Sequence, residues 1–201
     1  MKNPDIYPIT KHLISKHQKE CFLGQQGGVF WLYGLSGSGK STLAIRMENL
    51  LHQRKKYCIV LDGDNLRSGL NSDLGFSDSD RVENIRRVSE VAKLLSQNGV
   101  IVIVSLITPF RESRDAAQTI IGAENFHEVY VKASFTTCQN RDVKGLYAKA
   151  SQGKVQSFTG QNSKFEEPEN NCLIIDTEKE SLENSTEKLF QYVFKSISVN
   201  S

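Results

Sequence analysis

Five apolar, largely β-branched runs punctuate the chain: VFWLY (29–33), YCIVL (57–61), VIVIVSLI (100–107), HEVYVKA (127–133) and CLII (172–175). Between them lie stretches rich in helix formers, Ser41 to Arg54, Ser79 to Asn98, Glu112 to Ile121 and Phe135 to Ala150, with a last helix over about Ser181 to Ser196. Val82, Ile85, Val88, Ala92 and Leu95 recur three or four apart, the stripe of a helix with one buried face. Strands that alternate with helices and are apolar on both faces predict an α/β fold, a five-stranded parallel sheet with helices on both faces. Segment 151–171 breaks the alternation. It is polar, carries Gly153, Gly160 and Pro168, and reads as a long loop of the kind that serves as a lid. Residues 1–25 read as an N-terminal extension, 26–201 as the domain, and about 144–171 as its lid segment.

Composition narrows the class without naming it. A 201-residue chain that is 38% hydrophobic and 24% charged is ordinary for a globular domain. A net charge of +2 is too small to argue for nucleic acid or a membrane surface as partner, and neither is expected. No apolar run approaches the ~20 residues of a membrane-spanning helix, and the polar N-terminus lacks a secretory signal. Cys21, Cys58, Cys138 and Cys172 form no CxxC pair and read as free thiols of a reducing compartment, the cytoplasm. The four scattered histidines offer no metal site built from protein ligands.

The chemistry begins at Gly34-Leu35-Ser36-Gly37-Ser38-Gly39-Lys40-Ser41, which satisfies GxxxxGK[ST] and continues into Thr42. Glycines let backbone N–H groups turn inward around an anion, and the following helix aims its positive end at the same point. Lys40 is placed to reach the β- and γ-phosphates, and the Ser41 hydroxyl to ligate Mg²⁺. The loop therefore predicts a nucleoside triphosphate. It does not separate switches, motors and kinases, although no NKxD guanine motif is present and VIVIVSLITPF (100–110) lacks a Walker B carboxylate.

Carboxylates appear instead at Leu61-Asp62-Gly63-Asp64-Asn65-Leu66-Arg67, where the second apolar run ends. In an open parallel sheet that is the ligand edge. Two carboxylates there can orient metal waters and take a proton from an acceptor, and Arg67 offers a planar fork for an oxyanion. A plain Asp-Gly turn is the competing reading. Downstream, Ser77 and Asp80 signal a helix start, and Arg81 lies in the first turn, where a cation opposes the helix dipole unless acids or a bound anion compensate. Arg81 and Asn84 share a face, and Phe76 just before them suits stacking on a flat ring. A solvated charged helix face explains Arg86 and Arg87 better than Arg81. Arg111 and Arg114 suit either an anion or a capped surface helix. Lys144, Lys149 and Lys154, with Gly145 and Gly153, read as a basic lid.

The runs GLSGSGKST, LDGDNLRSGLNSDLGFSDSDRVENIRR, SLITPFRESRD and RDVKGLYAKA…FTG…PEN closely resemble those of adenylylsulfate (APS) kinases, over about residues 29 to 177. The resemblance implies the P-loop kinase fold, a homodimer, and transfer of the γ-phosphoryl of ATP to the 3′-hydroxyl of adenosine 5′-phosphosulfate. By position it implies that Asp62, with Asp64 beside it, lies near Mg²⁺ and the attacking hydroxyl, with Lys40 and Thr108 in the catalytic set. It implies that Arg67, Arg81, Asn84, Ile107 and Thr108 hold the acceptor, that Phe76 covers adenine, and that Lys144, Leu146 and Phe158 close over substrate. Arg141 and Asp142 match positions on the ATP adenine side. Two residues depart from the family pattern: Thr108 stands where Ser usually precedes Pro, and Lys132 where Asp often follows VYV. A kinase for a nucleoside monophosphate or a sugar acid, and a nucleotide-dependent regulatory module, are the competing readings. The DGDN block with Phe76 and Arg81 argues against the first, and Lys40, Ser41, Asp62 and Asp64 argue against the second.

Overall fold

Strand β1 (Gly28–Tyr33), buried at every position, is the centre around which the rest assembles. The structure is a computed structural model and describes residues 7–142, 145–151, 159, 164–169 and 172–198. The expected strands β1, β2 (Cys58–Asp62), β3 (Ile101–Ser105), β4 (Phe126–Lys132) and β5 (Leu173–Asp176) form one parallel sheet in the order β2-β3-β1-β4-β5.

Side chains of β1 alternate between two cores. Val29, Trp31 and Tyr33 pack beneath α4 (Asp78–Ser96) and α5 (Arg111–Ile121), against Ile85, Val88, Ala92, Ala117 and Ile121. Phe30 and Leu32 pack under α2 (Lys40–Gln53) and α8 (Leu182–Ile197), against Leu43, Met47, Leu189, Phe190 and Val193. Full burial of each such large side chain contributes on the order of 2 kcal/mol. The expected stripe Ile85, Val88 and Ala92 is the buried one, whereas Val82 is exposed. The connection after β1 crosses to β2 and that after β3 crosses the other way to β4, so a crevice opens between the carboxyl ends of β1 and β3.

Three local features differ from the pattern. The helix expected over 135–150 divides into α6 (Phe135–Arg141) and α7 (Leu146–Ser151), because Asp142 leaves helical geometry at φ 16 and its carboxylate caps α7 through the amides of Tyr147 and Ala148, both at 3.1 Å. A short helix α3 (Gly63–Arg67) follows β2, capped by Asp62. Within the N-terminal extension, α1 (Lys16–Leu23) is closed by a Ser15–Gln18 capping box. The buried Gln25 then ties the chain to the amino end of the sheet, donating to the carbonyls of Tyr57 and Gly99 at 2.8 and 2.9 Å.

His127, the second residue of β4, stacks its ring on Phe30 with centroids 4.6 Å apart, and burial pushes its pKa below the usual 6.5. The fold therefore favours neutral imidazole, and the associated stability is present above the unfolded value and lost as pH falls through it. We expect the thermal midpoint to decline below about pH 6.5, and His127→Phe to flatten that decline. Superimposable pH profiles for the two proteins would remove His127 from the account.

Candidate active site

The phosphate-binding loop is wound tightly because its glycines accept what other residues cannot. Gly34, at φ 152, would press a Cβ to 2.3 Å from the Val131 carbonyl oxygen, and Gly37, at φ 78, to 3.0 Å from that of Cys138. Partners far along the chain hold the loop's shape. The Gly34 amide donates to the Ile107 carbonyl at 3.2 Å. Tyr147 Oη donates to Ser36 O at 2.7 Å, Arg141 Nη1 to Gly37 O at 3.3 Å, and Thr177 Oγ1 to Ser38 O at 2.8 Å. Inside the curve, Lys40 Nζ donates to the carbonyls of Gly34 and Leu35 at 3.0 and 2.7 Å. Gly39 caps α2, so the helix axis ends at the loop, while Thr42 is exposed one step along.

Ser41 and Asp62, twenty-one residues apart in sequence, meet at this point. Ser41 Oγ donates to Asp62 Oδ2 at 2.8 Å and lies 3.3 Å from Ser105 Oγ at the carboxyl end of β3. The Asp-Gly pair is therefore more than a turn: one Asp62 oxygen accepts the Asp64 amide at 3.1 Å and caps α3, and the other faces the phosphate loop. Asp64 itself is exposed at the mouth. Two hydroxyls and a carboxylate form the hard oxygen donor set that Mg²⁺ takes when water and phosphate complete its shell. Among the described residues no cluster of three His, Cys, Asp or Glu side chains offers an alternative.

Across the mouth, Arg67, Phe76 and Arg81 come together as expected. The Arg67 guanidinium lies 4.6 Å from the ring centroid of the exposed Phe76 and donates to the carbonyls of Leu74 and Gly75 at 3.1 and 2.6 Å. Arg81 donates to the Phe76 carbonyl and to Thr159 Oγ1, each at 3.0 Å. Burial lowers the pKa of both guanidiniums, opposed at Arg67 by Asp80 and Asp64 and at Arg81 by Asp78, while Arg67 depresses Arg81 further. Two like charges held this way favour an anion between them. Asn84, one turn beyond Arg81, is buried and accepts from Asn71 Nδ2 at 3.0 Å.

The rest of the expected set has a supporting geometry. Arg141 brackets Thr177, donating to its hydroxyl at 3.0 Å and its carbonyl at 2.7 Å beside the loop. Leu146 packs with Leu35, Ala133, Cys138 and Tyr147 beneath the loop. Thr108, buried at φ 41, turns its hydroxyl to the core, where it accepts Trp31 Nε1 at 2.9 Å. Lys132 lies 4.0 Å from Glu167. Lys144, Lys154, Gly153, Phe158 and Gly160 lie outside the described residues, as does the side chain of Lys149.

Arg111 and Arg114 serve protein partners. Arg111 engages the segment 164–169 through Glu166, Glu167 and Glu169. Arg114, 3% exposed, pairs with Glu128 at 3.0 Å and donates to the carbonyls of Thr108 and Glu166 at 3.1 and 3.0 Å. Its charge lies 4.5 Å from the Tyr33 ring centroid, and burial, followed by the Glu128 carboxylate, raises the Tyr33 pKa. Ser105, Thr177, Tyr147 and Arg114 were not singled out for these roles. Only Ser105, the hydroxyl occupying the place of a Walker B acid, carried a visible signal.

The adenylylsulphate kinase family model matches residues 26–176. An adenylyl-sulfate kinase of Phocaeicola vulgatus is 51% identical over 96% of this chain and 95% of its own length. One of Bacillus licheniformis is 50% identical over 96% of this chain and 98% of its own. The Mycobacterium tuberculosis APS kinase CysC, in complex with AMPPNP and APS, superposes with a TM-score of 0.78 at 42% identity, covering 85% of this chain and 98% of that one. A Sinorhizobium meliloti gluconokinase superposes at 0.59 with 15% identity, a likeness of fold alone.

Proposed function

The chain belongs to the adenylylsulphate kinase family, and from that premise we propose that it transfers the γ-phosphoryl of ATP to the 3′-hydroxyl of adenosine 5′-phosphosulfate (APS). The products are ADP and 3′-phosphoadenosine 5′-phosphosulfate. The observation that carries this reading is the 2.8 Å contact of Ser41 with Asp62, which joins the donor loop to the acceptor edge.

Lys40 and the loop amides balance charge on the donor phosphates. Ser41 and Asp62 would hold Mg²⁺, which neutralises phosphate charge when bound. Asp62 also stands where it can accept the proton of the attacking hydroxyl. Arg67 and Arg81 receive the phosphosulfate, and Phe76 offers its face to adenine. Arg141 and Thr177 flank the loop on the side assigned to the ATP base. A coupled assay of ADP release is expected to respond to APS and not to AMP, gluconate or shikimate. Response to AMP or a sugar acid alone would overturn the assignment.

The buried Thr108 hydroxyl supports a structural role for it. We expect Thr108→Val to keep kcat within about threefold, a shift under ~1 kcal/mol. It should still lower stability by about 1–3 kcal/mol, because the Trp31 indole N–H loses its acceptor. Loss of turnover in a folded variant would restore a phosphorylated threonine to the mechanism.

We also infer a cytoplasmic homodimer. The free cysteines support a reducing compartment, and exposed Tyr7, Ile9, Leu13, Ile14 and Phe22 support a self-contact near the N-terminus. No helix among the described residues is long and apolar enough to cross a membrane. Light scattering of the full chain tests the dimer, and a monomeric mass would exclude it.

A further inference from the structure

Asn71, fully buried in the turn between α3 and α4, carries an oddity. Its Nδ2 donates to Asn84 Oδ1 at 3.0 Å, yet its own Oδ1 is one of two buried side-chain polar atoms without a hydrogen-bond partner among the described residues. An orphaned buried acceptor opposes folding. The turn does not need this side chain, because the Asn71 amide already donates to Leu66 O at 2.8 Å and its carbonyl accepts from Leu74 at 3.1 Å. What the side chain does is orient a second amide. With its Oδ1 engaged, Asn84 can turn only its NH₂ group elsewhere, and that group makes no hydrogen bond within the described protein. Asn84 lies one turn from Arg81, whose Nε donates to the Phe76 carbonyl at 3.0 Å, so the two side chains leave the same face of α4.

We propose that Asn71 is a positioning residue for the acceptor, fixing the Asn84 amide so that it presents a donor to the bound nucleotide. The proposal rests on the reading of the cleft as an APS site. It assigns specificity to an amide pair: the atom of the acceptor that meets Asn84 must accept a hydrogen bond. Apolar replacement of Asn71 frees the Asn84 amide to rotate. A carboxylate at position 71 goes further, because it can only accept and so draws the Asn84 NH₂ away from the cleft.

The test compares Asn71→Leu, Asn71→Asp, Asn84→Ala and the double variant Asn71→Leu/Asn84→Ala in the full chain. KM is measured for APS and for ATP, alongside thermal midpoints. Asn71→Leu is expected to raise KM for APS roughly tenfold, the value of one lost hydrogen bond, with KM for ATP unchanged. Its thermal midpoint should fall only modestly, because Asn84 Oδ1 loses its donor while the orphaned Asn71 acceptor leaves with the side chain. Asn71→Asp should raise KM for APS further, and Asn71→Leu should add nothing in the Asn84→Ala background. An unchanged KM for APS, whatever the stability, or additive effects in the double variant, would overturn the proposal and leave the kinase assignment standing. Absence of APS-dependent ADP release by the unmodified chain would overturn both.

Discussion

Replacing Asp62 with alanine is expected to lower kcat by about 10³-fold while ATP still binds, because a general base of this kind contributes 10²–10⁴. The same carboxylate also caps α3 and accepts the Ser41 hydroxyl, so the alanine variant mixes chemistry with local order. Asp62→Asn separates them: the amide oxygen retains the cap, while the negative charge and the basicity are lost. Its kcat should fall nearly as far as that of the alanine variant, with less loss of thermal stability. Calorimetric ATP binding together with the ADP assay reads both terms. Turnover within threefold of the parent, under ~1 kcal/mol, would strip Asp62 of its catalytic role.

The second large effect lies away from the phosphates. Arg114→Leu removes a buried cation from Glu128, from two carbonyls and from the face of Tyr33. Breaking a buried pair from one side destabilises by about 3–5 kcal/mol, which for a chain of this size is a fall of roughly 10 °C in the thermal midpoint. Because Thr108 O and Glu166 O lose the same donor, the acceptor loop and the segment 164–169 should loosen together, and KM for APS should rise. Arg114→Leu combined with Glu128→Gln should regain part of the stability, since no uncompensated carboxylate remains. If the double variant were no more stable than the single one, the pair would not be what holds this corner.

These two residues also mark what the amino-acid pattern discloses. Asp62 was readable because its role follows from chain order: an acid at the end of an apolar run, after a phosphate loop, must lie at the ligand edge of a parallel sheet. The five strands and the α2, α4, α5 and α8 helices were readable for the same reason, since their periodicities are local. Arg114 suited either an anion or a capped surface helix, and only the approach of Glu128 from β4 and Glu166 from the 164–169 segment shows the buried role it has. Thr177 and Tyr147 are likewise defined by backbone carbonyls more than a hundred residues away. The break between α6 and α7 escaped detection because both sides are helix formers, and the interruption lies in the backbone of Asp142. The Ser15–Gln18 capping box was in plain view but lacked the apolar stripe that would have drawn attention to it.

The supports of the phosphate loop have a consequence for biosynthesis. The loop occupies eight consecutive residues, yet its amide and carbonyl groups are braced by Ile107, Arg141, Tyr147 and Thr177. A nascent chain that has exposed the whole GxxxxGKS run still lacks every one of those braces. Long-range pairing of β1 with β3 and β4 must come first, and such closures are slow. Nucleotide affinity should therefore appear late in synthesis, once Thr177 has left the ribosome, and ATP should act on the finished fold more than on the order in which it forms.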